Sequence, residues 1–156
     1  LDLQKELLSD IPQYWPVMNG RGWVTMEFGP NIHPIEGIWY MHKGIDIAAG
    51  LGTPIVAAAN GVVTDAGWDS IGGYGGFVEL DHNYGFKTKY GHLLNFTVSE
   101  GDEVVQGQRI GSMGNTGTST GSHLDFQIWI GTENIDPAYF LKLSKPDFNR
   151  RTSIRY

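Results

Sequence analysis

Alternating apolar and polar positions predict short β-strands over most of this chain. The clearest alternation lies in the segment 122–128, where three apolar residues share one face of a strand and three polar residues share the other: Leu124, Phe126 and Ile128 against His123, Asp125 and Gln127. An imidazole and a carboxylate two residues apart on one strand are spaced like two neighbouring groups of one site, such as a metal ligand beside a proton-transfer group.

Further strands are predicted wherever short runs of β-branched and aromatic residues are bounded by turn residues. These runs are 22–29, 45–47, 53–58, 61–67, 77–82, 86–90, 103–105 and 109–113. The Asn60-Gly61 pair predicts a hairpin between 53–58 and 61–67. A second hairpin is predicted around 83–85, which joins the runs 77–82 and 86–90.

Helices are predicted only near the two ends of the chain. Residues 1–10 place leucines on one helical face, and Pro12 follows as a helix breaker. A short helix is expected near 136–141, with Asp136 as its N-cap and Pro137 in its first turn. With no internal repeat and no linker, these elements favour one mainly β domain.

Composition narrows the possible functions. The chain has 156 residues, of which 40% are hydrophobic and 22 are glycine, so it can form a core rich in strands and tight turns. The net charge of −6 comes without a Lys/Arg cluster, which argues against a nucleic-acid partner. No apolar run is long enough to span a membrane. There is no cysteine, so any metal must be held by imidazole and carboxylate groups.

The histidines, taken one at a time, carry little information. His42 and Asp46 are four residues apart at a loop-to-strand junction, and alone they are more simply explained as polar residues near a turn. His92 alone is more simply a structural or exposed histidine. His33 is expected in a loop, and His82 is expected to be solvated at a turn.

Two other chemistries are disfavoured by the motifs. The glycine-rich loop 114–121 has no lysine at the position that a phosphate-binding P-loop requires. No G-x-S-x-G turn is present, which argues against a serine hydrolase.

The ordered combination of motifs is far more specific than its parts. In chain order the motifs are Phe28-Gly29-x-x-x-His33-Pro34, His42-x-Gly44-x-Asp46-Ile47-Ala48-Ala49, Gly52-Thr53-Pro54-Ile55-x-Ala57, Ala59-x-Gly61-x-Val63, Tyr90-Gly91-His92-Leu93, Gly101-Asp102-x-Val104-x-x-Gly107-Gln108-x-Ile110-Gly111 and Gly114-Asn115-Thr116-Gly117-x-Ser119-x-Gly121-x-His123-Leu124. Over roughly 15–141, this series strongly resembles the M23 family of zinc metallopeptidases, with lysostaphin-type or LytM-type domains.

The resemblance implies a fold, a substrate and a set of site residues. The fold would be a mainly β single domain whose antiparallel sheets form a groove, with an N-terminal helical segment at 1–14, the peptidase domain at 15–143 and a tail at 144–156. The substrate would be the peptide part of bacterial peptidoglycan. The resemblance also implies that His42 and Asp46 bind zinc. It further implies that His92 and His123 orient or deprotonate the attacking water and stabilise the oxyanion.

The chain departs from the family pattern at the third metal ligand, where Asp125 replaces the usual histidine. Two milder departures are Gln127 in place of an acidic residue and Asn31 in place of an arginine. A His42, Asp46 and Asp125 shell carries two negative charges, which weakens Lewis-acid catalysis and shifts preference toward harder ions such as Mn²⁺. The shorter aspartate could also contact the metal poorly.

Three outcomes therefore stay open for the site: slow cleavage with zinc, binding of another divalent metal, or an empty site. The leading hypothesis is a metal-dependent endopeptidase that hydrolyses peptidoglycan peptides. The alternative is a catalytically impaired module that binds the cell wall or activates a separate amidase. Either function implies a periplasmic, cell-envelope or extracellular location.

Overall fold

The computed structural model describes residues 2–32, 35–117 and 121–144. His33, Ser119 and the predicted tail beyond Ser144 lie outside these residues. Within them the chain forms twelve strands and two α-helices, in the following order: α1 (Asp2–Asp10), β1 (Trp23–Met26), β2 (Gly29–Ile32), β3 (Trp39–His42), β4 (Ile45–Ala48), β5 (Pro54–Val56), β6 (Gly61–Asp69), β7 (Gly75–Asp81), β8 (Phe86–Phe96), β9 (Glu103–Val104), β10 (Arg109–Met113), β11 (His123–Ile130), β12 (Glu133–Ile135) and α2 (Pro137–Ser144).

The strands build one large antiparallel sheet and one small hairpin. The sheet runs in the order β1-β4-β11-β8-β7-β6-β9, while β12 pairs with β11 and the β5–β10 pair joins through β8. Strands β2 and β3 form the separate hairpin. The prediction of a mainly β single domain with antiparallel sheets is thus confirmed, with only short helices in the described part of the chain. None of these helices is long and apolar enough to cross a membrane.

The core lies on one face of the sheet, where the alternation along β11 places its apolar side chains. Leu124, Phe126 and Ile128 are fully buried, together with Trp15 and Tyr90. The opposite face of the same strand presents the polar residues. One face of β11 therefore stabilises the domain while the other is available for chemistry.

One predicted hairpin is confirmed and the other is wrong. Strands β7 and β8 pair antiparallel around the turn Asn83–Gly85, as expected. Strands β5 and β6 do not pair across Asn60-Gly61, because β5 pairs with β10 while β6 pairs with β7 and β9. The Asn60 side chain is instead a connector, which donates to Asp10 Oδ1 and accepts from the amide of Gln106.

The prediction for His82 is wrong, since this side chain is only 7% exposed. Its Nδ1 lies 2.7 Å from the Asn60 carbonyl and its Nε2 lies 2.8 Å from Thr88 Oγ1. The Thr88 and Tyr90 hydroxyl oxygens are 2.8 Å apart, and Tyr90 accepts the amide of Ala58. These groups form a buried hydrogen-bond chain in which both ring nitrogens of neutral His82 have a partner, and burial lowers the pKa of His82.

Because His82 is buried, we predict a specific pH dependence of the stability of the metal-free protein. The pKa of His82 in the folded protein lies below the ordinary value of about 6.5, so as the pH drops the unfolded chain binds a proton before the folded protein does. The free energy of unfolding therefore falls as the pH drops below about 6.5. In His82→Gln, the free energy of unfolding should therefore lose part of its dependence on pH between about 7 and 5. Urea unfolding at several pH values measures this. Thr88→Val, which keeps the imidazole, should retain the dependence, and an unchanged pH profile in His82→Gln would contradict the assignment.

Candidate metal centre

The structure brings the five predicted site residues together on the polar face of the sheet. His42 Nε2 lies 3.1 Å from Asp46 Oδ1, and His123 Nε2 lies 3.8 Å from Asp46 Oδ2. The rings of His92 and His123 are 4.6 Å apart between centroids. One ligand atom from each of His42, Asp46 and Asp125 falls within 4.8 Å of the other two.

The register of three neighbouring strands sets this geometry. Asp46 on β4 stands directly opposite Asp125 on β11, and Asp125 stands opposite Gly91 on β8. Side chains directly opposite each other across an antiparallel pair are close enough to interact, and like charges there are unfavourable. Facing carboxylates at the centre of a sheet therefore require a proton or a cation between them.

Gly91 keeps the space beside Asp125 open. A Cβ atom at position 91 would lie 2.9 Å from Tyr74 Cδ1 and 3.5 Å from Asp125 Cβ. The Tyr74 ring thus packs directly over the backbone of β8 at this point. Any larger residue would displace either Tyr74 or the carboxylate.

Backbone carbonyl groups fix the orientation of all three imidazoles. The Nδ1 atoms of His42, His92 and His123 lie 3.2, 2.6 and 2.8 Å from the carbonyl oxygens of Glu27, Thr116 and Gly121, respectively. A carbonyl can only accept, so each Nδ1 carries the hydrogen. The Nε2 atoms are then the ones available as metal ligands or proton acceptors, as is usual for histidines that bind metals.

The electrostatics of the site reflect the two facing carboxylates. Burial, and then the charge of Asp46, raise the pKa of Asp125 to about 6, although His42 and His123 oppose the shift. Burial alone lowers the pKa of His42, but the adjacent Asp46 and the more distant Asp125 outweigh it and raise the pKa. Burial, followed by the neighbouring His123, lowers the pKa of His92.

Two carboxylate oxygens in the cluster lack a hydrogen-bond donor, and this shows whether the residues present fit a metal ion. Asp46 Oδ1 and Asp125 Oδ1 are shielded from solvent and accept no well-aligned hydrogen bond in the described part of the chain, although Asp46 Oδ1 lies 3.1 Å from His42 Nε2. Buried carboxylate oxygens normally find donors, so an unpartnered pair requires an explanation. With His42 Nε2 beside them, these oxygens form the nitrogen and oxygen donor set that a divalent cation requires.

The two milder departures from the family pattern have structural roles. The Asn31 amide donates to the carbonyl oxygens of Glu27 and Gly29, at 2.8 and 3.0 Å. Because Glu27 also accepts from His42, Asn31 helps to fix the carbonyl that orients this imidazole. Gln127 is buried, donates to the Tyr74 hydroxyl and accepts from Trp129 Nε1.

Tyr40 is a residue of this region that the motifs did not reveal. Its ring meets that of His42 edge to face at 6.0 Å, and its hydroxyl lies 2.7 Å from Met26 Sδ. Burial raises the pKa of Tyr40 to about 12, with contributions from Asp46 and Asp125. The signal that could have revealed it is its position two residues before His42, on the same face of one strand.

The β sheet and the imidazole–carboxylate cluster define a metallopeptidase-like class of domain. The family model described as peptidase family M23 matches residues 40–137, and the chain belongs to this family. The chain is 43% identical over 114 residues to the DD-carboxypeptidase/endopeptidase Mpg of Neisseria meningitidis serogroup B; this match covers 73% of the chain and 26% of that relative. The chain therefore spans about a quarter of the length of this curated relative.

Two solved structures are similar as well. The catalytic domain of lysostaphin from Staphylococcus simulans superposes with a TM-score of 0.70 at 37% identity, and covers 76% of this chain and 91% of that domain. A zinc-containing peptidase from Vibrio cholerae superposes with a TM-score of 0.72 at 32% identity, over 80% of this chain and 38% of that one. The lysostaphin-type fold expected from the sequence is thus confirmed.

Removing the charge of Asp125 should stabilise the metal-free protein. The pKa of Asp125 is raised from 3.8 to about 6 in the folded protein. At a pH between these two values, the folded protein therefore keeps a proton on Asp125 that the unfolded chain has lost. Stability therefore falls as pH rises through this window, and the full cost is present above pH 6. Asp125→Asn should unfold at higher denaturant concentration than wild type at pH 7.5 and lose this advantage near pH 4.

The control for this measurement is Asp102→Asn. Asp102 is exposed, and its Oδ2 accepts the amide of Ser99, which an asparagine can also do. This variant should match wild type at both pH values. Equal stability of Asp125→Asn and wild type at pH 7.5, both with chelator, would show that the facing carboxylates carry no such cost.

Proposed function

We propose that this protein is a metal-dependent endopeptidase that hydrolyses peptide bonds of bacterial peptidoglycan. The observation that carries the proposal is the pair of unpartnered carboxylate oxygens beside His42 Nε2, with two more imidazoles next to them. Family membership and the similarity to an endopeptidase of Neisseria meningitidis support the reaction and the substrate. This substrate lies in the periplasm, the cell envelope or outside the cell, which is where we expect the protein to act.

His42, Asp46 and Asp125 would hold the metal, with zinc as the first candidate. The similarity to a zinc-containing peptidase supports this choice of ion. When bound, the metal supplies Lewis acidity toward the scissile carbonyl and toward water. Two carboxylates and one imidazole neutralise a divalent charge, so this acidity is weaker than with two imidazoles, and harder ions such as Mn²⁺ become better competitors.

His92 and His123 would handle protons and charge beside the metal ligands. The lowered pKa of His92 keeps its imidazole neutral near pH 7, with Nε2 as the proton acceptor. It can therefore deprotonate a water molecule that attacks the peptide carbonyl. His123, whose ring lies beside that of His92 and whose Nε2 lies 3.8 Å from Asp46 Oδ2, is placed to orient that water and to stabilise the oxyanion.

Metal content and activity should both respond to the third ligand. We expect purified protein to contain a divalent metal and to release peptide fragments from peptidoglycan, and both properties should disappear in His42→Ala. Asp125→His should bind zinc at least about tenfold more tightly, since even outer partners of a metal ligand change affinity by that much. Elemental analysis and a zinc-competition titration measure this, with Asp102→His as the matched control on an exposed loop.

A second candidate function is favoured by Asp125 itself. Replacing a metal-binding histidine is a change expected in a domain that no longer needs to cleave, and such a domain would bind the cell wall or activate a separate amidase. In this case the facing carboxylates are balanced by the proton that the raised pKa of Asp125 allows near pH 6.

Chelation separates the two candidate functions. For the endopeptidase, protein purified without added zinc should hold about one metal ion per chain, and a chelator should abolish cleavage while a divalent metal restores it. For the impaired module, peptidoglycan binding or amidase stimulation should be equal with and without chelator. Wild-type protein without metal or cleavage, beside an Asp125→His variant that gains both, would establish the module.

A further inference from the structure

Thr116 contacts the strand that carries His92, β8, and the neighbouring strand β7. This residue follows β10, in the glycine-rich loop that the sequence shows at 114–121. Its hydroxyl accepts the amide of Gly76 on β7 at 3.0 Å and donates to the Leu93 carbonyl on β8 at 2.8 Å. Its own carbonyl accepts Nδ1–H of His92 at 2.6 Å. One residue therefore fixes both the main chain next to His92 and the imidazole.

His92 lies at an irregularity of the sheet. Gly76 pairs with Leu93 whereas Val78 pairs with Tyr90, so β8 has one extra residue over this stretch, as in a β-bulge. His92 has a φ of +63°, in the left-handed region that residues other than glycine rarely adopt. Its amide donates to the Tyr74 carbonyl at 2.6 Å. Such a conformation costs about 1 kcal/mol or more and persists only when the surroundings hold it in place.

The bulge has a direct effect on the site. Adding one residue to a strand rotates the following side chain out of the regular alternation and re-aims it. Here the re-aimed imidazole lies beside that of His123, with 4.6 Å between the ring centroids and the two rings tilted by 48°. Without the bulge, the side chain of His92 would follow the pleat of β8. The position of His92 therefore depends on the contacts that hold the bulge.

We propose that Thr116 is a positioning residue for His92, which holds the bulge through its hydroxyl and the Nδ1–H tautomer through its carbonyl. The proposal rests on the function proposed for His92 as proton acceptor. Thr116 itself touches neither the metal ligands nor the reacting atoms in this arrangement. Its contribution is to keep the hydrogen of the His92 ring on Nδ1 and the ring beside that of His123.

Three variants test the role of the hydroxyl. Thr116→Val keeps the shape but leaves the Gly76 amide and the Leu93 carbonyl without their partner, whereas Thr116→Ser keeps the hydroxyl. Thr88→Val is the control, because it removes a hydroxyl that likewise has partners on two sides, but in the buried hydrogen-bond chain that includes His82. It therefore reports what loss of stability alone does to activity.

Kinetics on a soluble cross-linked peptidoglycan fragment give the first measurement. We expect Thr116→Val to lower kcat by about tenfold or more with KM within about twofold of wild type, since a misplaced proton acceptor affects the chemical step. Thr116→Ser should recover kcat to within about threefold. Thr88→Val should keep both constants near wild type. A kcat for Thr116→Val equal to that of Thr88→Val would overturn the proposal.

Nuclear magnetic resonance of the His92 ring gives a second measurement that does not depend on activity. Wild type and Thr116→Ser should show a slowly exchanging Nδ1–H signal and a single tautomer. Thr116→Val should show exchange at least about tenfold faster or a mixture of tautomers. If wild type cleaves nothing yet these spectra differ as expected, the proposed function fails while Thr116 still positions His92. If the His92 signal of Thr116→Val is the same as that of wild type, Thr116 does not position His92, whatever the activity of the two proteins.

Discussion

Two carboxylates that face each other across neighbouring antiparallel strands are the constraint on which the site depends. The register of β4 against β11 places Asp46 opposite Asp125, and the register of β11 against β8 places Gly91 on the other side. The buried face of β11 fixes this register, because a slip of one residue would expose Leu124 and Phe126 and bury the charges. The same hydrophobic packing that stabilises the domain thus forces two like charges together. A cation bound between them would relieve this repulsion and stabilise the folded state.

The aspartate at position 125, where the family resemblance implies a histidine, changes the balance between folding stability and metal binding. An imidazole opposite Asp46 would attract the carboxylate and stabilise the sheet without a metal. A carboxylate there repels, and the charge of Asp46 adds to the effect of burial in raising the pKa of Asp125. This chain is therefore expected to gain more folding stability from a bound cation than a domain with two imidazoles, at the expense of Lewis acidity.

Much of the fold and the site could be predicted from local patterns, and the failures share a cause. The alternation in 122–128 correctly predicted both faces of β11, and the ordered motifs indicated five residues that the structure brings together. The hairpin at Asn60-Gly61 was wrong because the partners of β5 and β6 are chosen by long-range packing, which a two-residue turn signal does not include. His82 was predicted to be solvated because it follows Asp81 at a turn, yet Thr88 and Asn60 provide it with buried partners. Tyr40 could have been found from its position two residues before His42, whereas Thr116 acts through contacts that no sequence spacing encodes.

The three imidazoles differ from the carboxylates in what supports them. The carboxylates belong to the sheet, whereas Glu27, Thr116 and Gly121, whose carbonyls orient the imidazoles, all lie in connecting segments outside the strands. Segments of this kind open at a lower free energy than the core of a sheet. The strands thus set the distances between the site residues, whereas the connecting segments set which ring nitrogen of each histidine carries the hydrogen. On warming, the histidine tautomers would therefore become mixed at a lower temperature than that at which the strands separate.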